Sequence, residues 1–245
     1  MRDFRADLHI HTLLSPCGDL SMSPATIVSE AVRKGIDIIG ITDHNSTRHC
    51  RLVSRLAANS GIFTLMGAEV TTKEEVHCLA FFEEDKLDLL QDFLDSRLPD
   101  IKNDPLIFGD QVVIDEDEMI VFVEERLLIS ATEASLEEVG AFVRLNGGIF
   151  IPAHIDRMRN SIYSQLGFMP DGLQADALEV SRRTRPRGFV DSHPGTEAYT
   201  ITTGSDAHYP ENIGDAFTLF TMEEASFDEI RMALAGAEGR KTLIP

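Results

Sequence analysis

The chain is 245 residues long, 43% hydrophobic and 26% charged, which is enough to bury a sizeable core in one large α/β domain. Its formal charge of −19, carried partly by the acidic runs at 83–88 and 115–118, argues against a long polyanionic partner, because nucleic-acid binders present a basic face. No stretch approaches the ~20 apolar residues of a membrane span, no signal-peptide core comes after Met1, and Cys17, Cys50 and Cys78 form no disulfide pattern; a cytoplasmic protein without a membrane partner is expected.

Residues 5–12 read as the first strand, and the stretch DLHIHT within it puts His9 and His11 on one face and Leu8 and Ile10 on the other. Two adjacent imidazoles suit a divalent metal, although two hydrogen-bonded structural histidines would read the same way. A helix at 23–35 opens on Ser-Pro and closes on Gly35, and an apolar run at 36–42 has the look of a buried parallel strand. Helix 47–60, strands 62–70 and 76–82 and helix 86–98 come next. Residues 108–126 suggest a local hairpin turning at 115–117. Helix 135–148, strands at 149–153, 176–180, 198–204 and 216–220, and a last helix at 226–236 complete the pattern. Repeated strand–helix units imply a parallel sheet, either closed as a barrel or open and doubly wound.

The residues at the strand ends are chemically uniform. Asp43 and His44 come after the second strand, Glu69 ends the third, His154 comes after 149–153, and Asp206 and His208 after 198–204; His77 alone sits at a strand start. In an α/β barrel the C-terminal rim is where sites are built, and residues spread over 200 positions converge only there. His49 and His193 fall outside the series and are expected in surface or local structure, with Cys50 and Cys78 as packing residues.

Taken in order, DLHIHT, GITDHNS, Glu69, VHCLAF, PAHID and TGSDAH resemble the successive motifs of the PHP (polymerase and histidinol phosphatase) superfamily from residue 7 to residue 208. The resemblance implies a distorted (β/α)7 barrel, here a single unit over 1–245, whose two or three divalent ions (zinc, manganese or iron) hydrolyse phosphoesters. Carried over by position, His9, His11, Glu69 and Asp206 would hold one ion, Glu69 would bridge to a second on His77 and His154, and His44 and His208 would hold a third. Asp43 would orient these ligands. Where many relatives place a further ligand, often histidine, this chain has Cys17 and Asp19; either one is a candidate, and so is a plain loop role.

The expected chemistry is attack by a metal-activated water, with Glu69 setting the spacing, Asp206 orienting the nucleophile, and His208 or Asp43 serving the leaving group. Bound ions would leave a local positive surplus that draws an anionic substrate to an acidic protein. Arg157, Arg182 and Arg183, with Ser205, are the candidate substrate contacts, Arg159 and residues 164–168 less directly. A phosphatase acting on a small phosphorylated metabolite or nucleotide comes first. Trimming of phosphorylated oligonucleotide ends and a non-catalytic metal-stabilised scaffold are the alternatives.

Overall fold

The computed structural model describes residues 1–184 and 186–245, with side chains for all of these but Pro186 and Arg187. In chain order the elements are β1 (Arg2–Ile10), α1 (Pro24–Lys34), β2 (Ile38–Ile41), α2 (Cys50–Ala58), β3 (Phe63–Thr71), β4 (His77–Phe82) and α3 (Leu87–Arg97). Then come α4 (Pro105–Phe108), β5 (Val112–Ile114), β6 (Ile120–Val123), α5 (Leu136–Leu145), β7 (Ile149–Pro152), α6 (Ile162–Leu166) and β8 (Leu178–Ser181). The chain finishes with α7 (Pro186–Ser192), β9 (Ile201–Gly204), β10 (Thr218–Met222), α8 (Phe227–Leu234) and β11 (Lys241–Leu243). Local chemistry sets the helix ends: Ser23 caps α1 by accepting from Thr26 N–H, Gly35 closes it at φ 65°, and a Ser135–Glu138 capping box opens α5. No helix among the described residues is long and apolar enough to cross a membrane.

A curled seven-stranded sheet runs β11-β10-β1-β2-β3-β4-β7, and β8 pairs in parallel with β9 beside it. Hydrogen bonds join this pair to both sides. Asp176 N–H donates to Phe150 O and Ile155 N–H to Glu179 O at 2.9 Å each, tying β8 to β7. His11 N–H donates to Ala207 O at 3.0 Å, tying the end of β9 to β1. Strands β1, β2, β3, β4, β7, β8 and β9 thus ring a distorted barrel.

The sheet is not uniformly parallel. β4 is antiparallel to β3 and β7, and β10 is antiparallel to β1. Parallel neighbours need a crossover of a dozen residues or more, whereas only residues 72–76 separate β3 from β4, so these two fold back as a hairpin. β4 therefore starts at the rim where the parallel strands end.

An inner cluster gathers Leu8, Ile38, Leu65, Leu79, Phe81, Ile149, Ile151 and Phe220, with Phe227, Ile230 and Leu234 of α8 packed on it. Two outer clusters lie under the remaining helices. Leu8 and Ile10, expected on one face, part company: Leu8 joins the inner cluster and Ile10 an outer one with Ile39 and Ile41. The cause is a bulge in β1, where Asp7 pairs with Ile39 but Ile10 with Ile41, so three β1 steps match two of β2. Such an extra residue re-aims the side chains beyond it, and here it turns His9 and His11 inward. Gly40 permits this, since a Cβ there would lie 2.3 Å from Leu8 O.

Candidate metal centre

Six histidines and two carboxylates meet at the barrel's C-terminal rim. His9 and His11 come from the end of β1, His44 from the loop after β2, Glu69 from β3, His77 from the start of β4, His154 from the residue pair after β7, and Asp206 and His208 from the loop after β9. Glu69 is the hub. Its Oε1 lies 2.9 Å from His77 Nδ1, 3.0 Å from His154 Nε2 and 3.3 Å from His9 Nε2. Its Oε2 lies 3.1 Å from His44 Nδ1 and 3.3 Å from His11 Nε2. Asp206 Oδ1 sits 3.3 Å from both His9 Nε2 and His11 Nε2, while Oδ2 accepts from Arg157 Nη1 at 2.5 Å. Asp206 is thus free to give one oxygen to an ion.

Backbone geometry is stretched to place these donors. His154 and Asp206 adopt left-handed conformations, with φ of 29° and 51°. L-residues hold such angles only where the surroundings over-determine them, and this concentrates at functional sites. Gly204 lets β9 close on β1, because a Cβ there would come within 2.9 Å of His9 Cβ.

Three sets of donor atoms converge tightly enough for one ion each: His9, His11 and Asp206; His44, Glu69 and His77; and His11, His44 and His208. The donors fit divalent cations chemically as well as geometrically. His9 Nδ1 is 3.0 Å from the Glu179 carboxylate and His11 Nδ1 is 3.0 Å from Ser15 Oγ, which leaves both Nε2 atoms as the nitrogens turned to a metal. Those two atoms stand 3.2 Å apart and face the carboxylates of Glu69 and Asp206. Nitrogens and carboxylates meeting in this way need positive charge among them, which protons supply in the absence of an ion and a divalent cation would supply in their place. His44 Nδ1 repeats the pattern, being buried and without a hydrogen bond although 3.1 Å from Glu69 Oε2.

Protonation obeys the same electrostatics. Burial opposes charge on His9 and His11, but the carboxylates outweigh it: Glu179, Asp206 and Glu69 raise His9 well above the histidine range, and Asp206 and Glu69 bring His11 to about 9. Burial likewise opposes ionisation of Glu69 and Asp206, yet the facing histidines hold both well below ordinary carboxylates. His208, half-buried beside His11, is lowered to about 4 by the loss of solvent and is neutral at pH 7, as a metal donor must be. The cluster attracts positive charge wherever its carboxylates point.

Other sequence candidates land differently. Cys17 is exposed at the rim with Sγ 3.0 Å from His208 Nε2, whereas the Asp19 carboxylate turns away to accept from Ser21 N–H and Oγ–H. Asp43 does not reach the cavity and so is not placed to protonate a leaving group; both its oxygens accept bonds from Thr12 and Ser15. Of the two histidines expected in surface or local structure, His49 is completely buried, and His193 stacks on Phe189 at 3.9 Å between ring centres. Cys50 and Cys78 are buried packing residues. Glu179 was not singled out from sequence, although an acid inside the apolar strand DALEV signals a buried partner; it holds His9 Nδ1 and also accepts from His154 N–H at 3.1 Å.

Above the donors opens a cavity of about 760 Å³ lined by Arg157, Arg159, Arg182 and Arg183, with Asp156 and Met158 among their neighbours. Arg157 is committed to Asp206 and Arg182 to Asp215, at 2.8 Å. Arg159 and Arg183 have no ion-pair partner among the described residues. Ser205 reaches the lining, but its hydroxyl donates to His9 O; residues 164–168 do not line the cavity.

A PHP domain model matches residues 7–134, which carry His9, His11, His44, Glu69 and His77. The chain belongs to the PHP domain family. A PHP-associated model matches residues 198–238, the segment with Asp206 and His208. An uncharacterised protein of Methanocaldococcus jannaschii is 35% identical over 89 residues, covering 33% of this chain and 52% of that one. Endonuclease Q, solved with a 27-mer duplex substrate carrying an abasic lesion at its active site, superposes with a TM-score of 0.74 at 20% identity over 98% of this chain and 58% of that chain. A metal-dependent phosphoesterase of Bifidobacterium adolescentis superposes at 0.62 with 21% identity, covering 95% and 96%. The chain therefore spans about half the length of the first two, and the solved neighbours share this PHP fold.

Proposed function

We propose that this PHP protein is a metal-dependent phosphoesterase acting on a small phosphate ester such as a phosphorylated metabolite or nucleotide. The carrying observation is the Glu69 hub: one buried carboxylate within 3.3 Å of five histidines, on the floor of an arginine-rimmed cavity. His9, His11, Glu69 and Asp206 would hold one divalent ion, Glu69 with His77 and His154 a second, and His44 and His208 a third, with zinc, manganese and iron all suited to this donor set. His44 also lies close enough to His77 to share the second ion. Cys17, beside His208, would complete the third site. Such ions lower the pKa of bound water to about 7 and draw charge from a phosphoryl oxygen.

The chain's own groups supply the rest. Arg157 holds the second oxygen of Asp206 and so keeps the first turned to the ions. Glu179 fixes His9, and Asp43 fixes His11 through Ser15. Arg183 and Arg159, without carboxylate partners among the described residues, are the groups best placed to take phosphate oxygens in bidentate fashion, with Arg182 available once it leaves Asp215. A cavity of about 760 Å³ matches a metabolite or mononucleotide rather than a long strand. We read residues 1–245 as one unit built around this site, with the β5–β6 hairpin as a local excursion.

Processing of oligonucleotide ends is the second reading. The open, four-arginine rim favours it, and the net charge of −19 weighs against an extended strand path. One experiment separates them: orthophosphate release by metal-replete protein from small monoesters, nucleotides and 5′-phosphorylated oligonucleotides. Release mainly from small esters is expected. Release mainly from oligonucleotides would put the nuclease first, and silence throughout would favour diester or cyclic substrates, or the scaffold.

A further inference from the structure

His49 has no part in the chemistry above, yet it is completely buried and bonded at both ends. Its Nδ1 lies 2.7 Å from Thr12 Oγ1, and its Nε2 lies 3.0 Å from the backbone nitrogen of Ile114 in the β5–β6 hairpin. Every proton along this path is dictated. The Ile114 N–H only donates, so Nε2 accepts, and a neutral imidazole must then carry its proton on Nδ1 and donate to Thr12. Burial favours that neutral ring, keeping His49 below the ordinary histidine range against the pull of Asp43.

Thr12 Oγ1 accepts from His49 and from Leu14 N–H at 3.1 Å, which leaves its own proton for Asp43 Oδ2 at 2.7 Å. Asp43 Oδ1 accepts from Thr12 N–H and from the Ser15 hydroxyl, each at 2.7 Å. Having donated, Ser15 Oγ accepts from His44 N–H at 3.2 Å and from His11 Nδ1 at 3.0 Å. His11 must therefore donate from Nδ1, which leaves Nε2 facing Glu69 and Asp206 as its metal-binding nitrogen. The Asp43 carboxylate, accepting from Ser15, orients the nitrogens of His11, while the hairpin amide, His49 and Thr12 hold that carboxylate from its other side.

We infer that His49 is a positioning residue for the metal centre, coupling the β5–β6 hairpin to the donor atoms of His11 and His44. Packing runs alongside the bonds: Val112 and Ile114 sit against Leu13, and Val113 against Leu14, in the loop just past His11. The hairpin is thus the support against which that loop, and with it the first ligand pair, is set. The inference rests on the metal-site reading, and its test keeps the two apart.

Wild type and the variants His49→Leu, Thr12→Val and Thr12→Ser are stripped of metal and titrated with Mn²⁺, with the free ion read by electron paramagnetic resonance and the folded fraction by circular dichroism. Removing a supporting hydrogen bond of this kind costs about tenfold or more in metal affinity. His49→Leu and Thr12→Val are each expected to bind about tenfold more weakly per folded molecule, and Thr12→Ser, which keeps the hydroxyl, to bind as wild type does. The double variant His49→Leu/Thr12→Val should be no weaker than the weaker single variant, since both cut one chain. Wild-type affinity in folded His49→Leu, fully additive losses, or failure of Thr12→Ser to restore binding would overturn the inference. If His49→Leu does not fold, the Thr12 pair decides alone. If the wild type itself takes up no Mn²⁺, the metal reading falls first and the role of His49 with it.

Discussion

The donor cluster and the arginine rim above it are built in opposite ways. Each donor stands on a strand or within a few residues of one and is buried or nearly so, and three are fixed by a second bond: His9 by Glu179, His11 by Ser15, Asp206 by Arg157. The rim arginines stand on loops, two of them tied to acids and two without such a partner. Rigid strands suit ions, which tolerate little error in ligand position, while side chains carried on loops suit a substrate that must enter and leave.

The sharpest break would come at the hub. Glu69→Gln keeps the shape but removes the charge that answers five histidines, so turnover should fall about 10³-fold or more and bound metal should drop, read by phosphate release and elemental analysis on folded protein. Retained turnover would mean that the cluster is structural.

Asp7 sharpens the comparison within the buried layer itself. Unlike Glu69 and Asp206, it faces no cation among the described residues but the Ser205 hydroxyl and the N–H groups of Ser205 at 2.9 Å and Gly214 at 2.7 Å, with a weaker one from His9, and burial raises its carboxyl from 3.8 to about 6. The folded state then binds this proton more tightly than the unfolded state. The associated stability is complete below pH 3.8 and is lost as pH rises to about 6. Asp7→Asn removes that slope, so wild type should lose on the order of 3 kcal/mol relative to the variant between about pH 3.5 and pH 7. Denaturant titrations across that range check it, and parallel curves would show that the three amides, not burial, set the carboxyl.

The smallest effects belong to the rim. Arg183→Ala and Arg159→Ala should each raise KM about tenfold with kcat changed by about twofold at most, the signature of lost uniform binding. Arg182→Ala, whose side chain already holds Asp215, should do less. A fall in kcat with KM unchanged would place these arginines in the chemical step and blur the division between rim and cluster.

Most of the cluster was legible because strands have a period of two and barrels a functional rim. His77 looked like an exception at a strand start, and the antiparallel run of β4 removes it, since that start lies at the common rim. Glu179 and the burial of His49 were not legible. One residue contacts partners 170 positions away and the other partners 37 and 65 away, and no local pattern encodes such pairings. The inward turn of His9 and His11 likewise depends on a bulge seen only once β2 is paired.

By itself, the sequence determined which histidines and acids gather at the rim, the order of strands that present them and the PHP family they form, because ligand types and strand-end positions are local properties. Only the tertiary structure decided the directions of β4 and β10, the hub role of Glu69, the exclusion of Asp19 and Asp43 from the cavity, and which arginines remain without acid partners. These depend on distances between segments far apart in the chain, and such distances are set by how the strands pair and close, not by what any one segment prefers.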